Sequence, residues 1–350
     1  MKPLKYLFIS SMLFVATSCG NSWLDLEPST SVDTETSIKI LSDVEFTLNG
    51  IYSTMQSSDA YSGRLVYYGD VTGDDMQAVS STKRVANYYR FNFTKDDNPS
   101  SHWSYLYSII QNCNLILMNI DKLVIDEDDK AYRDDLKGEA LAIRGLALFD
   151  LTRIFGYPYL KDNGASLGVP IIEGLSTIDS KPTRNTVAQC YTKIIDDLTQ
   201  SLSLLGEKFN KGKINKWGAM VLLSRVYLYK GENANALKMA SDAIIGAEKN
   251  KYALWTNEDY PTAWGEDASA SKPGEVLFEI VNLTTDSPGK ESMGYLNSYD
   301  GYDDMCITCS FYQFLKEDPK DIRLQLLSFD KKYYAYVNKY QPQREENIED

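Results

Sequence analysis

The chain is 350 residues long and carries 36 Lys and Arg against 49 Asp and Glu, a net charge of −13. That length can bury a substantial core as one large domain or two. The acidic balance argues against nucleic acid as a partner and against electrostatic adhesion to anionic lipid, since both present phosphates.

Lys2 and Lys5 are the only charges before Asp25, and residues 6–15 form an apolar run. At about ten residues it has the length of a signal-peptide core, well short of the roughly 20 that a membrane-spanning helix needs. Ala16, Thr17 and Ser18 then lead to Cys19, an order that resembles the lipobox of bacterial lipoproteins, although Ala16 stands where a bulkier residue is usual. The resemblance implies a lipoprotein signal peptide over 1–18, lipidation at Cys19 and a lipidated tether over 19–34. Losing Lys2 and Lys5 with the signal takes the net charge from −13 to −15. Attachment would then rest on acyl chains, each buried methylene contributing about 0.8 kcal/mol.

Helical periodicities follow in chain order. Leu41, Val44, Leu48, Ile51 and Met55 step by three or four residues, one stripe of an amphipathic helix. Trp103, Leu106, Tyr107, Ile110, Cys113, Leu117 and Ile120 make a second stripe. Leu136, Ala140, Ile143, Ala147, Leu151 and Ile154 make a third, ended by Gly156 and Pro158. Val187, Cys190, Tyr191, Ile194, Leu198, Leu202 and Leu205 make a fourth, with Thr183 to Thr186 as capping candidates. In residues 222–244, Leu223, Tyr227, Gly231, Ala236, Ala240 and Ala243 recur at the spacing of a TPR helix-turn-helix. An ordinary αα-hairpin has the same spacing. One such pair cannot bury its own faces, so helices at 136–155 and 187–205 are expected to stack beside it.

Between the helices lie stretches rich in Gly, Asp, Ser, Asn and aromatics, at 56–101, 156–182 and 251–313. Loops this long are usually functional or disordered, and their rings argue for order. Short strands are expected within them, for example over 275–281 and 333–337. Tyr, at 25 copies, outnumbers the 12 Phe and 5 Trp together, and a ring with a polar handle suits a surface that binds wet ligands.

Cys113 and Cys190 fall on apolar helical faces and read as core. Cys306-Ile-Thr-Cys309 is a lone C-x-x-C, and His102 is the only histidine, so a four-ligand zinc site is not supported. A small disulfide or an unpaired thiol pair is expected there. The acidic runs at 126–129, 300–304 and 73–75 lack the full EF-hand spacing and read as solvated turns, with structural Ca²⁺ as the weaker alternative and no other cofactor implied. No phosphate-binding loop, dinucleotide fingerprint, G-x-S-x-G or H-E-x-x-H occurs, and nothing marks a catalytic carboxylate pair. No catalytic or metal residue is assigned.

Five segments come in order: "CGNSWLDLEPSTSV" (19–32), "WSYLYSIIQNCNLIL" (103–117), "GEALAIRGLALFDLTRIFGYPYL" (138–160), "PTRNTVAQCYTKIIDDLTQSLSLL" (182–205) and "GKINKWGAMVLLSRVYLYKGENANALKMASDAI" (212–244). Together they resemble the SusD/RagB family of Bacteroidetes surface lipoproteins. The resemblance implies a mainly α fold, in which TPR-like helix-turn-helix pairs over about 103–250 form a scaffold. An irregular, loop-rich lobe with a few short strands would complete a single domain over 35–350, with binding loops at 56–101 and 251–313. It further implies a non-enzymatic outer-membrane lipoprotein facing the exterior. Such a protein captures oligosaccharide, or in some members peptide, for a SusC-like TonB-dependent transporter. Family members continue past residue 350, so a truncated or incomplete member lacking a covering helix is expected. A TPR-type surface adaptor for protein partners and a glycoside hydrolase are the alternatives.

Sugar binding needs rings to lie on pyranose faces and polar side chains to bond hydroxyls. The loop at 67–89 offers Asp70, Asp74, Asp75, Arg84 and Tyr88, and the later lobe offers Trp255, Trp264, Tyr295, Tyr299 and Tyr302. Asp70, Asp74, Arg84, Tyr88, Trp264, Tyr295, Tyr299 and Tyr302 are the candidate ligand-binding residues. Trp23, Trp103 and Trp217 are assigned to scaffold.

Overall fold

The computed structural model describes residues 37–94, 100–177, 179–264, 274–282, 286, 288–330, 332 and 334–340. The expected signal peptide, Cys19, Trp23 and the expected tether lie outside them.

Six helices form a serial stack: α1 (Leu41–Met55), then α4 (Ser100–Asn119), α5 (Lys130–Phe155), α6 (Val187–Leu204), α7 (Lys216–Lys230) and α8 (Asn233–Lys249), each packed on the next. Their ends are set by local chemistry. The Asp43 carboxylate accepts from the backbone N–H of Lys39 (2.8 Å) and Ile40 (3.0 Å) at the start of α1. Thr186 and Gln189 form a reciprocal capping box on α6. Asn215 Oδ1 accepts from Trp217 and Gly218 at 3.1 Å to open α7, and Gly231, at φ +83°, closes it.

The expected pairs are present as α5 with α6 and α7 with α8. Close approach depends on missing side chains. A Cβ on Gly138 would stand 2.8 Å from Leu205 Cγ, and one on Gly145 3.0 Å from Leu198 Cγ, so α5 meets α6 along a glycine seam. Gly246 on α8 receives the Trp217 ring of α7, leaving a Cβ only 2.1 Å from it. Trp217 is thus buried scaffold, its Nε1 donating to Glu207 O at 3.2 Å. Trp103 is scaffold as well, edge-on to Phe155 with ring centroids 5.0 Å apart. Leu223, Ala236 and Ala243 are buried between α7 and α8, while Tyr227 and Ala240 are half-buried. Among the described residues no helix is long and apolar enough to cross a membrane.

The long stretches between helices hold more regular structure than their composition suggests. With the residues that follow 313, they contribute α2 (Arg64–Thr72), β1 (Met76–Ala78), α3 (Ala86–Tyr89), α9 (Met293–Asn297), β2 (Met305–Ile307), α10 (Cys309–Lys316), β3 (Leu327–Phe329) and β4 (Ala335–Val337). β1 pairs antiparallel with β2, Met76 opposite Ile307, and β3 with β4, Leu327 opposite Val337. Tyr67, Val71, Met76, Val85, Leu296, Met305, Ile307 and Ala335 make a second, smaller core beneath this lobe.

The strand expected near 333–337 is β4. Residues 275–281 form no strand. They run against the stack instead: the Cβ position of Gly218 lies 3.1 Å from Phe278 Cβ, and Gln56 Nε2 donates to Val281 O at 2.5 Å. Cys113 and Cys190 are buried core thiols. Cys306 is buried and Cys309 exposed, and both are free. Ile307 lies in β2 and Thr308 is extended, which spaces the two Cα atoms by about 10 Å, too far for a disulfide.

Candidate functional site

The lobe gathers the candidate side chains into two groups. In the first, the turn before α3 presents Arg84 and the loop after α9 presents Tyr302. The Arg84 guanidinium lies 3.9 Å from the Tyr302 ring centroid, a cation held on the negative face of the ring. Tyr295, from α9, meets Tyr302 edge-on at 5.2 Å. Glu291 is bridged by two guanidiniums, Arg64 at 3.1 Å and Arg84 at 3.3 Å. Arg64 is also paired with Asp59. Lys83 locks the opposite side, donating to Tyr302 O at 2.6 Å and pairing with Asp303 at 3.3 Å. Asp303 accepts from Tyr336 Oη at 2.6 Å, and Tyr299, 44% exposed, lies 5.9 Å from Tyr336.

Electrostatics here are mixed. Asp304 is buried, and burial raises its carboxyl pKa against the pull of Arg84, Lys83 and Arg64. His102 is buried at the start of α4, where its Nδ1 donates to Asp59 O at 3.0 Å. Burial lowers its pKa, so the sole histidine is a neutral structural side chain.

The second group is built on Trp264. Trp255 meets it edge-on at 5.1 Å, Tyr260 at 5.5 Å and Tyr340 at 6.3 Å. Lys339 Nζ sits 3.4 Å from the Trp264 ring centroid. Burial depresses the Lys339 pKa, while the charges of Asp70 and Glu275 favour its ammonium form. Asp70 therefore belongs with Trp264, apart from Arg84.

Of the remaining candidates, Asp74 is exposed and its backbone carbonyl accepts from Thr308 Oγ1 at 2.8 Å, tying α2 to the cap of α10. Tyr88 is half-buried, packed between Tyr68 at 5.3 Å and Phe93 at 5.9 Å. Sequence reasoning missed Arg64, Lys83, Glu291, Asp303, Tyr336, Lys339 and Tyr340. They come from segments remote from one another, and each looks in sequence like an ordinary surface charge or a structural tyrosine. Among the described residues no group of three His, Cys, Asp or Glu is placed to hold a metal ion.

The family model described as "Starch-binding associating with outer membrane" matches residues 22–228. The chain belongs to the SusD-like family. Two solved Bacteroides vulgatus ATCC 8482 structures fit it closely. One, a sugar binding protein by name, is 82% identical with a TM-score of 0.86, covering 89% of this chain and 70% of its own. The other, a SusD superfamily protein, is 36% identical with a TM-score of 0.82 and the same 89% and 70% coverage. SusD-like protein P2 of Formosa agariphila is 28% identical over 313 residues, 86% of this chain and 57% of that relative. The chain thus spans about half the length of the curated SusD-like relatives it matches, at 57%, 48% and 39% of theirs.

Proposed function

We propose that this SusD-like protein is a lipid-anchored lipoprotein of the outer membrane, facing the exterior, that captures glycan and delivers it to a SusC-like TonB-dependent transporter. The observation that carries the binding half is the Arg84 guanidinium stacked 3.9 Å over Tyr302 beside Tyr295 and Glu291. Rings, fixed N–H donors and fixed carboxylate acceptors are the chemistry that grips a pyranose, with its apolar faces and hydroxyl rim. The ion pairs hold these groups in place before a ligand arrives, which limits the entropy lost on binding. Glu291 is bridged by two guanidiniums and Asp303 is held by Lys83 and Tyr336. Both carboxylates are committed as acceptors to cations and a phenol hydroxyl. The family description and the sugar-binding name of the 82%-identical relative support the same reading.

Native gels cast with a panel of polysaccharides test it. At least one polysaccharide should retard the wild-type protein, and Tyr302→Ala should bind that polysaccharide roughly tenfold more weakly, as expected for losing a stacked ring. A folded wild-type protein that no glycan retards would refute the reading. Anchoring is tested separately: Cys19→Ala expressed in a Bacteroidetes host should move from the membrane fraction to the soluble one. Retention of the variant in the membrane would remove Cys19 as the anchor.

A further inference from the structure

The Trp264 cluster already holds a ligand-like group, and that group is an ammonium. Lys339 Nζ lies 3.4 Å above the Trp264 ring and 5.5 Å from Tyr340. Trp255 and Tyr260 back the Trp264 ring, edge-on at 5.1 and 5.5 Å, and lie 6.3 Å from each other. Ring faces arranged around a cation are how proteins bind alkylammonium groups. Among the described residues Lys339 makes no ion pair, so its charge is met by ring faces and by the more distant field of Asp70 and Glu275.

Trp255, which backs the Trp264 ring, is fixed independently of this lysine. Gly274, at φ +55°, lets the backbone pass so close to Trp255 that a Cβ would stand 2.3 Å from its Nε1. The backbone N–H of Trp255 donates to Glu275 Oε2 at 3.2 Å. Lys339, by contrast, sits two residues beyond β4, and the segment is pinned by Asn338 N donating to Leu326 O at 2.6 Å. Its four-carbon stem can therefore swing out by rotamer changes while β4 stays paired. The field at the seat it would leave is acidic: the charges of Asp70 and Glu279 act on Tyr340 and that of Asp75 on Asp70, with Arg323 and Tyr260 acting on each other.

We propose that Trp264 and Tyr340, backed by Trp255 and Tyr260, form a seat for the ammonium group of an amino-sugar oligosaccharide, and that Lys339 closes this seat until the ligand displaces it. This rests on the glycan-binding reading above and narrows the cargo to a cationic saccharide. An amino sugar carries its ammonium on a pyranose whose C–H face can lie against a neighbouring indole, while its hydroxyls meet the surrounding carboxylates. The net negative charge of the protein would steer such a ligand toward it.

Tryptophan fluorescence titration with glucosamine hexasaccharide, and with its N-acetylated counterpart, tests the proposal. The wild-type protein should bind the charged hexasaccharide at least tenfold more tightly than the acetylated one. Lys339→Met, which removes the competing ammonium, should tighten that binding about tenfold. Trp264→Ala, which keeps the protein's charge, should weaken it at least tenfold, separating the seat from general attraction between a polycation and an acidic surface. Thermal melts check that both variants are folded, and Lys339→Met alone keeps the test decisive if Trp264→Ala is not. Equal affinity for charged and acetylated sugars, or unchanged affinity in Lys339→Met, would overturn the proposal. So would binding of tetralysine in place of the hexasaccharide, which would make the seat one for peptide cations. If only this inference fails, a neutral glycan should still retard the protein through Arg84 and Tyr302. If no glycan binds at all, the broader reading fails with it.

Discussion

Replacing Arg144 by Ala should destabilise the protein by about 3–5 kcal/mol, the cost typical of stranding one member of a buried ion pair. Arg144 lies in the middle of α5 and Asp197 in α6, with side chains 8% and 0% exposed. The pair is bidentate, Nε to Oδ2 at 2.8 Å and Nη2 to Oδ1 at 2.7 Å. Arg144 Nη1 also donates to Asn114 Oδ1 at 2.9 Å, and Asn114 Nδ2 donates to the carbonyls of Ile172 (2.8 Å) and Gly174 (3.0 Å). One guanidinium thus joins α4, α5, α6 and the loop after α5. Lys193, 3.2 Å from Asp197 and 2.8 Å from Glu173, would remain as partial compensation. Urea unfolding followed by circular dichroism measures the loss. The double variant Arg144→Met, Asp197→Leu should recover most of it, because it leaves no unpaired charge in the core. A loss below about 1 kcal/mol in Arg144→Ala would show that the pair is not sealed from water.

Glu139→Gln should make the protein more stable at pH 8 by roughly 3 kcal/mol while leaving its stability near pH 4.5 almost unchanged. Glu139 is 3% exposed on α5, and burial pushes its carboxyl up to about 7 from the usual 4.5. Tyr52 Oη donates to it at 2.6 Å and itself accepts from Ile214 N at 3.1 Å. Tyr52 and Lys213 favour the ionised form, whereas Asp135 and Glu45 oppose it. Because the folded-state pKa is raised, the native protein keeps the proton that the unfolded chain releases above pH 4.5. Stability therefore falls as pH rises from about 4.5 to about 7 and levels off beyond. Gln keeps an acceptor for Tyr52 and carries no charge, so it removes the Glu139 share of the slope. Melting temperatures across pH 4.5–8 would reveal it, and parallel profiles for wild type and variant would refute the assignment.

The stack was legible because each of its helices repeats apolar residues at helical spacing over many turns. α5 shows where that legibility stops. Its sequence offers one stripe, yet every residue from 138 to 152 is buried, because α4, α6 and α1 pack around it. Glu139, Arg144 and Asp150 look in sequence like a solvated face and are in fact internal hydrogen-bonding groups. In the lobe, α2, α3, α9 and α10 are too short to display a period, and 275–281 reads as a strand although its partners are side chains of the stack. Arg84, Tyr295 and Tyr302 lie in contact, with Tyr299 beside Tyr336, but the grouping of Asp70 with Trp264 depends on Lys339 and Tyr340, which nothing local in sequence links to either.

The pairing of β1 with β2 brings Gln77 opposite Cys306 across 229 residues of chain. The main helix contacts along the stack after α4 join neighbours in sequence, whereas this small sheet closes one very long loop. A polypeptide threaded amino-end first through a narrow exit would finish its helices while residues 60–94 still waited for residues 293–340 to emerge. The lobe that carries Arg84, Tyr302 and Trp264 is thus the last part to be assembled, and a premature stop anywhere before β2 would yield a well-built pillar without its second core.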